Sequence, residues 1–293
     1  MFKIIETPRD AMQGIKTFIP TEKKIAYINA LLKVGFDTID FGSFVSPKAI
    51  PQLRDTPQVL EGLDLSDTKT KLLAIIPNFR GAQMAESFDQ INYLGYPFSI
   101  SNTFLQLNIN SNIGEAFDET EKILNHCQKT GKELVLYISM AFGNPYGDLW
   151  SPEIVYEWTR RLSQIGVKII ALSDTTGIGN SDSISKSFQA VVDEFPDIEF
   201  GAHLHTTPEN CVPNIKAAFD TGCRRFDTVI NGLGGCPMSQ QKMIGNLKTR
   251  NLLGFLKEKN IDHGLNMRAF QEAIHLGAFT FPSGMNIPQS SKE

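Results

Sequence analysis

Two histidines one residue apart, in Gly201-Ala202-His203-Leu204-His205, are the first residues here whose types and spacing could do chemistry. On a β-strand successive side chains alternate faces, so both imidazoles point one way while Ala202 and Leu204 point the other. Two neutral imidazoles on one face can hold a divalent metal. Two strand histidines satisfied by ordinary hydrogen bonds would have the same spelling, and that alternative stays open until further ligands are found. Other polar residues stand where short apolar runs end: Arg9, Asp10 and Gln13, then Asp40, Asn78, Ser139 and Asp174. A carboxylate closing an apolar run needs a partner, because unpaired buried charge is costly. For Asp40 and Asp174 the structural alternative is a salt bridge to arginine or a set of backbone amides; for Gln13 and Asn78 it is hydrogen bonding within the fold. The stretch Asn231-Gly232-Leu233-Gly234-Gly235-Cys236-Pro237 joins three glycines to one thiol. Such a loop can flex and approach a ligand closely, and its thiol could act as an acid, a base or a redox-sensitive gate.

These residues need elements to position them. Eight short runs rich in β-branched and apolar residues recur along the chain, each followed by a helix-like segment. They are Lys3 to Glu6, Thr38 to Phe41, Leu72 to Ile76, Phe98 to Ser101, Leu134 to Ser139, Lys168 to Ser173, Ile198 to His205 and Arg225 to Ile230. This alternation argues for parallel strands joined by helical crossovers. Between them Thr21 is placed to cap a helix carrying Ile25, Ile28, Leu31 and Leu32 on one face, and Ser151 to cap one with Pro152 at its first position. Eight such units suit an α/β fold of the (β/α)8 TIM-barrel type better than a doubly wound sheet, and no G-x-G-x-x-G follows the first strand. Two further helices, near Leu247 to Glu258 and Met267 to Leu276, exceed what one barrel needs. The extra helix is available to cover a barrel end or to meet a second copy in a homodimer.

In such a barrel the reactive residues gather at the carboxyl ends of the strands, where all the polar residues named above fall. Phe200, Ala202 and Leu204 then face the helix layer, while Gly201, His203 and His205 face the lumen. Ile170, Leu172 and Asp174 share one face of the sixth strand. The chain reads as one catalytic domain over 1–280, with a disordered tail over 281–293 that mixes Pro, Ser, Gly and charge.

With 293 residues, 41% of them hydrophobic, the chain can bury a full core. A net charge of −4 and scattered Lys and Arg leave no basic stripe, which argues against nucleic acid as a partner. No apolar run approaches the roughly 18 residues of a membrane span, and the start lacks an export signal. Cys127, Cys211, Cys223 and Cys236 form no CxxC pair and read as reduced thiols in a cytoplasm, the first three as packing residues.

Taken in order, the motifs resemble those of the 3-hydroxy-3-methylglutaryl-CoA lyases, within the metal-dependent lyases and condensing enzymes built on this barrel. Thr7-Pro8-Arg9-Asp10-Ala11-Met12-Gln13 resembles the RDGLQ signature, and Ser43-Phe44-Val45-Ser46-Pro47-Lys48 matches SFVSPK. Ser173-Asp174-Thr175-Thr176-Gly177-Ile178-Gly179 is similar to GDTIGVG, His203-Leu204-His205 to HCH, and Gly232 to Pro237 to GLGGCP, with Gly245-Asn246 following. The resemblance, which covers about residues 3 to 270, implies a divalent metal, Mg2+ or Mn2+, held by Asp10, His203, His205 and Asn246. It implies that Arg9 stabilises an enolate oxygen, that Asp40 orients Arg9, that Cys236 closes over the substrate, and that Asp174 serves at the mouth of the sixth strand. Gln13, Asn78 and Ser139 are the expected contacts for an acyl-CoA substrate, and Lys48, near the second-strand loop, is a candidate phosphate contact.

The implied reaction is a retro-Claisen cleavage to acetyl-CoA and a keto acid: a tertiary alcohol loses its proton, a C–C bond breaks, and charge collects on the thioester oxygen. A metal acidifies the alcohol, and a fixed guanidinium meets charge that exists mainly in the transition state. Cys236 or a water would return a proton to the carbon. The chain departs from the family at Thr206 and Arg250, where relatives are acidic, at Ala11, and at Asn144, where they carry a cysteine. These departures leave the acyl group open. An acetyl-CoA-dependent condensing enzyme acting on a 2-oxo acid, and a non-catalytic metal-binding relative, are the other two readings.

Overall fold

The computed structural model describes residues 2–235 and 244–282. In chain order the elements are β1 (Lys3–Glu6), α1 (Pro8–Gln13), α2 (Thr21–Leu32), β2 (Thr38–Ser43), α3 (Thr56–Glu61), β3 (Lys71–Ile75), α4 (Phe79–Ala85), β4 (Ile91–Ser99), α5 (Asn102–Ile109), α6 (Ile113–Thr130) and β5 (Glu133–Ser139). They continue with α7 (Pro152–Gln164), β6 (Ile169–Asp174), α8 (Ser181–Gln189), β7 (Glu199–Leu204), α9 (Cys211–Asp220), β8 (Arg225–Thr228), α10 (Thr249–Glu258) and α11 (Met267–Thr280). All neighbouring strands are parallel. β8 pairs back onto β1, Lys3 opposite Arg225 and Glu6 opposite Thr228, so the sheet closes into the expected (β/α)8 barrel. Closure removes every sheet edge, and strand alternation then divides the interior in two. Outward residues such as Ile170, Leu172, Ala202 and Leu204 join the large core under the helices, while Leu73, Tyr93, Val135, Tyr137, Ile169 and Ala171 fill the lumen.

Two local expectations change. β4 begins at Ile91 rather than Phe98, because Gly95 and Pro97 interrupt the apolar pattern; Pro97, which has no N–H to give, still lies opposite Tyr137 of β5. Thr21 is the first residue of α2 and not its cap, and its hydroxyl donates to Asp55 Oδ2 at 2.7 Å. Ser151 does cap α7, accepting from the Ile154 amide, with Pro152 at the first helical position. α11 packs against α2 and extends the helical layer there. Of the tail, Phe281 is buried edge-on against Tyr27 with ring centroids 5.3 Å apart, and 283–293 lie outside the described residues. Among the described residues no helix is long and apolar enough to cross a membrane.

Two polar tethers hold the mouth of the barrel in place. Gln52 is buried, its Nε2 donating to the carbonyls of Ile15 and Thr17 and its Oε1 accepting from the Ile19 amide, which pins the link after α1. Glu6, wholly buried at the end of β1, has Oε1 accepting from the Ile230 amide at 2.8 Å and Oε2 lying 3.0 Å from Thr249 Oγ1. It thereby ties both ends of the segment between β8 and α10. Burial pushes this carboxyl up from its ordinary value of 4.5 to about 8, against the pull of its hydrogen bonds. The folded state therefore keeps a proton that the unfolded chain releases, and the stability so gained is complete below pH 4.5 and lost as pH rises through about 8. In Glu6→Gln, which keeps the shape without the titration, the thermal midpoint measured from pH 5 to pH 9 should lose that downward slope; a wild-type slope retained by the variant would assign it to another group.

Candidate active site

β1 runs through Thr7 into the short helix α1, where Pro8 suits the first position because its missing N–H would go unused there. One turn of helix then sets Arg9, Asp10 and Gln13 at the mouth of the barrel. The Arg9 guanidinium donates from Nε (2.9 Å) and Nη2 (2.6 Å) to Asp40 Oδ2, and from Nη1 to Asp10 Oδ1 (3.0 Å) and Gln13 Oε1 (2.9 Å). Arg9, Asp10 and Asp40 are all buried. Burial opposes the charge on Arg9, yet Asp40 and Asp10 hold it protonated beyond its ordinary range. Burial likewise opposes the charge on Asp10, but the Arg9 guanidinium beside it works the other way and the carboxyl is held below the usual range. Asp40 goes the other way. Burial lifts it to about 6 although Arg9 pulls it down.

Opposite α1, His203 and His205 enter from β7 on the lumen face, as alternation requires. His203 Nδ1 lies 3.1 Å from Asp227 Oδ2, and His205 Nδ1 lies 3.0 Å from the carbonyl of Ile244. A carbonyl can only accept, so His205 carries its proton on Nδ1 and leaves the Nε2 lone pair free. That Nε2 is buried, has no hydrogen-bond partner, and stands 3.7 Å from Asp10 Oδ2. Asp227 gives His203 the same tautomer, the carboxylate–imidazole support that metal ligands use. Burial lowers the affinity of His203 for a proton, but the Asp227 bond and charge more than offset this. Asn246 completes the group: its Nδ2 donates to Asp10 Oδ2 at 2.5 Å and to the Leu233 carbonyl at 2.9 Å, and its backbone bridges to His205. Gly234 lets this happen. Its φ is +92°, and a Cβ there would come within 2.7 Å of both Asn246 Nδ2 and the Asp10 carbonyl. Asp10, His203 and His205 offer ligand atoms within 4.8 Å of one another, and the orphaned His205 nitrogen and mixed oxygen and nitrogen donors fit a divalent metal.

This group forms the floor of a cavity of about 260 Å³. Ser43, Ser139, Ser173 and Thr175 add hydroxyls, whereas Val45, Ile50, Ile75, Pro97, Phe104 and Ile109 make an apolar wall. Arg9, Asp10, Gln13, Ser139, His203 and His205 are thus brought together, with Asp40 and Asn246 bonded to the same group. Asn78 and Asp174 are not. Asn78 is exposed and caps α4, accepting from the Gly81 amide. Asp174 shares the outward face of Ile170 and Leu172, and its carboxylate accepts from the amides of Thr176, Gly177, Ile178 and Gly179. Its partners are backbone amides, and it folds its own loop. Cys236 lies outside the described residues. Neither charge departure reaches the cavity: Arg250 extends across the exposed surface to Gln271 on α11, and Thr206 pairs its amide with the Gly245 carbonyl.

Sequence reasoning passed over Asp227 and Tyr137. Both were signalled by alternation, Asp227 as a charge two residues after Arg225 on a barrel strand, and Tyr137 two before Ser139. Tyr137 stands edge-on to His203, ring centroids 5.7 Å apart, and burial with the nearby Asp227 and Asp40 charges keeps its phenol protonated. The α5 residues Phe104 and Ile109 carried no comparable signal. Replacing Asp227 by Asn removes the carboxylate that fixes the His203 tautomer; divalent-metal affinity, measured by competition with a chromogenic chelator, should fall about 10–100-fold. In Asp174→Ala the affinity should stay within about twofold while the thermal midpoint drops, since four amides lose their acceptor.

Comparison with known proteins agrees with this geometry. The family model described as HMGL-like matches residues 2–276. The mitochondrial hydroxymethylglutaryl-CoA lyase of Bos taurus is 34% identical over 280 residues, covering 94% of this chain and 84% of that one. Among solved structures, the HMG-CoA lyase of Brucella melitensis superimposes with a TM-score of 0.88 at 30% identity, covering 95% of this chain and 98% of that one. An HMG-CoA lyase from Acinetobacter baumannii, solved with coenzyme A and 3-methylmalate, gives 0.87 at 31% identity, covering 96% and 91%. With a buried Asp-His-His group at the mouth of a closed barrel and matches that span almost its whole length, this chain belongs to the HMGL-like family.

Proposed function

We propose that the protein is a divalent-metal-dependent carbon–carbon lyase that cleaves 3-hydroxy-3-methylglutaryl-CoA, or a closely related 3-hydroxyacyl-CoA, to acetyl-CoA and a keto acid. The observation that carries this reading is the sharing of Asp10 between Arg9 and the Asn246–His205 side of the floor. It sets a guanidinium directly beside a metal-ligand group in one cavity. Asp10, His203, His205 and Asn246 would hold Mg2+ or Mn2+, hard ions that accept such mixed donors. Once bound, the metal supplies acidification of the substrate's tertiary alcohol.

The remaining chemistry belongs to the chain. Arg9 is locked by Asp40 and Gln13, so its charge is already in place when the thioester oxygen turns negative and no reorganisation is needed. Gln13 and Ser139 line the cavity and orient the acyl group. The apolar wall keeps water from the enolate. Cys236, carried over from the family resemblance, is the proposed proton donor to the enolate carbon. The free thiols of Cys127, Cys211 and Cys223 support a reducing compartment such as the cytoplasm. No observation favours the condensing alternative.

The direct test incubates the purified protein and Mg2+ or Mn2+ with 3-hydroxy-3-methylglutaryl-CoA. Acetyl-CoA and acetoacetate should appear in equal amounts; their absence, with cleavage of another 3-hydroxyacyl thioester, would move the assignment to that substrate. Arg9→Gln should lower kcat by about 10³-fold, and it should also lower stability, because Asp40 is left buried without its cation. Arg9→Lys separates the two effects: the fold is kept, and kcat still falls at least 10-fold because the fork is gone. His205→Ala should weaken metal affinity and lower turnover together, with Asp10 and His203 left as donors.

A further inference from the structure

The loop after β5 makes contacts that the reaction scheme does not use. Asn144 Oδ1 accepts from the amides of Tyr146 and Asp148, and its Nδ2 donates to the Asp148 carbonyl at 2.8 Å. Asn144 therefore holds the backbone of Asp148 from both sides, which a cysteine at this position could not do with one weak donor. The Trp150 indole donates to the Ala141 carbonyl at 2.8 Å and closes the loop.

Held this way, the Asp148 carboxylate reaches across to the start of α5. Oδ2 accepts from Ser101 Oγ at 2.5 Å and from the Thr103 amide at 3.0 Å, and Oδ1 accepts from Thr103 Oγ1 at 2.9 Å. Ser101 is itself the N-cap of α5, accepting from the Phe104 amide. A carboxylate at this end of a helix also meets the positive end of its dipole. Consistent with these bonds, the Asp148 carboxyl is held below its ordinary range although partial burial works the other way. Beyond the clasp, α5 sends Phe104, Asn108 and Ile109 into the cavity, and Tyr146 of the same loop packs on Phe104 at 6.4 Å between centroids. α5 is only eight residues long. Such a helix has little stability of its own, so its placement depends on what is attached to it.

We propose that Asp148, set by Asn144, is a positioning residue that fixes α5 against the cavity and so determines how large an acyl group the pocket accepts. This rests on the acyl-CoA lyase reading given above. A loosened wall admits an extra methylene more readily, and one methylene is worth about 10–200-fold of discrimination in a well-packed pocket.

The experiment compares kcat/KM for 3-hydroxy-3-methylglutaryl-CoA and its 3-ethyl homologue in the wild-type protein, Asp148→Ala, Asp148→Asn and Asn144→Ala, with Mn2+ affinity measured alongside. Asp148→Ala should cut the preference for the methyl substrate at least fivefold, mostly through KM, with Mn2+ affinity unchanged. Asp148→Asn, which keeps an acceptor for the Thr103 amide, should recover part of it, and Asn144→Ala should move it the same way. An unchanged preference in Asp148→Ala, or an equal loss on both substrates, would make the clasp purely structural and overturn the inference. A wild-type protein that cleaves neither thioester would instead overturn the lyase reading on which it rests.

Discussion

The carboxylate of Asp10 is taken out of water and must be compensated on every side, and the rest of the site is arranged around that requirement. One oxygen receives Arg9, the other receives Asn246 and faces the free nitrogen of His205. The half-satisfied geometry is informative. An anion held by one cation and one amide, and facing an unprotonated imidazole nitrogen that cannot donate to it, is a place for a second cation, and the His203 ring completes its surround. A fold built only for stability would replace such a buried charge cluster with apolar residues at little cost.

The same logic runs down the barrel. Arg9 stands on Asp40, and His203 on Asp227, whose charge is felt in turn by Arg225 at the lumen's far end, where Nη1 reaches Glu199 at 3.1 Å. Charges of opposite sign alternate inside a barrel whose remaining lumen is apolar, so each ligand has a support that fixes its orientation. Further supports come from two buried polar side chains: Gln52 pins the link after α1, and Glu6 joins the two ends of the segment that delivers Asn246.

Much of this was legible in the sequence because strand alternation is a strict rule. It placed His203 and His205 together in the lumen, and the Arg9-Asp10 pair fell beside them because α1 begins directly after β1. Asp174 shows where the rule needs its other half: alternation put it on the face of Ile170 and Leu172, and that face points to the helices, so amides rather than a substrate meet it. Asn78 shows the limit of position alone, since a residue just past a strand serves equally well as a helix cap. The wall formed by α5 was not legible, because the apolar residues of so short a helix, Phe104 and Ile109, read the same whether they face the core or a cavity. Arg250 and Thr206 looked like changes in the charge around the metal ligands, yet Arg250 sits on the outer face of α10 and Thr206 spends its amide on Gly245.

The central claim is that the Asp10-His203-His205 group holds the metal through the free nitrogens of both histidines. Electron spin echo modulation of Mn2+ bound to the purified protein reads nitrogen ligands directly. The account requires imidazole nitrogen couplings from two rings, one of them lost in His203→Ala and in His205→Ala alike. Tightly bound Mn2+ with no imidazole coupling, or couplings from two rings that persist in either variant, would place the metal elsewhere and contradict it.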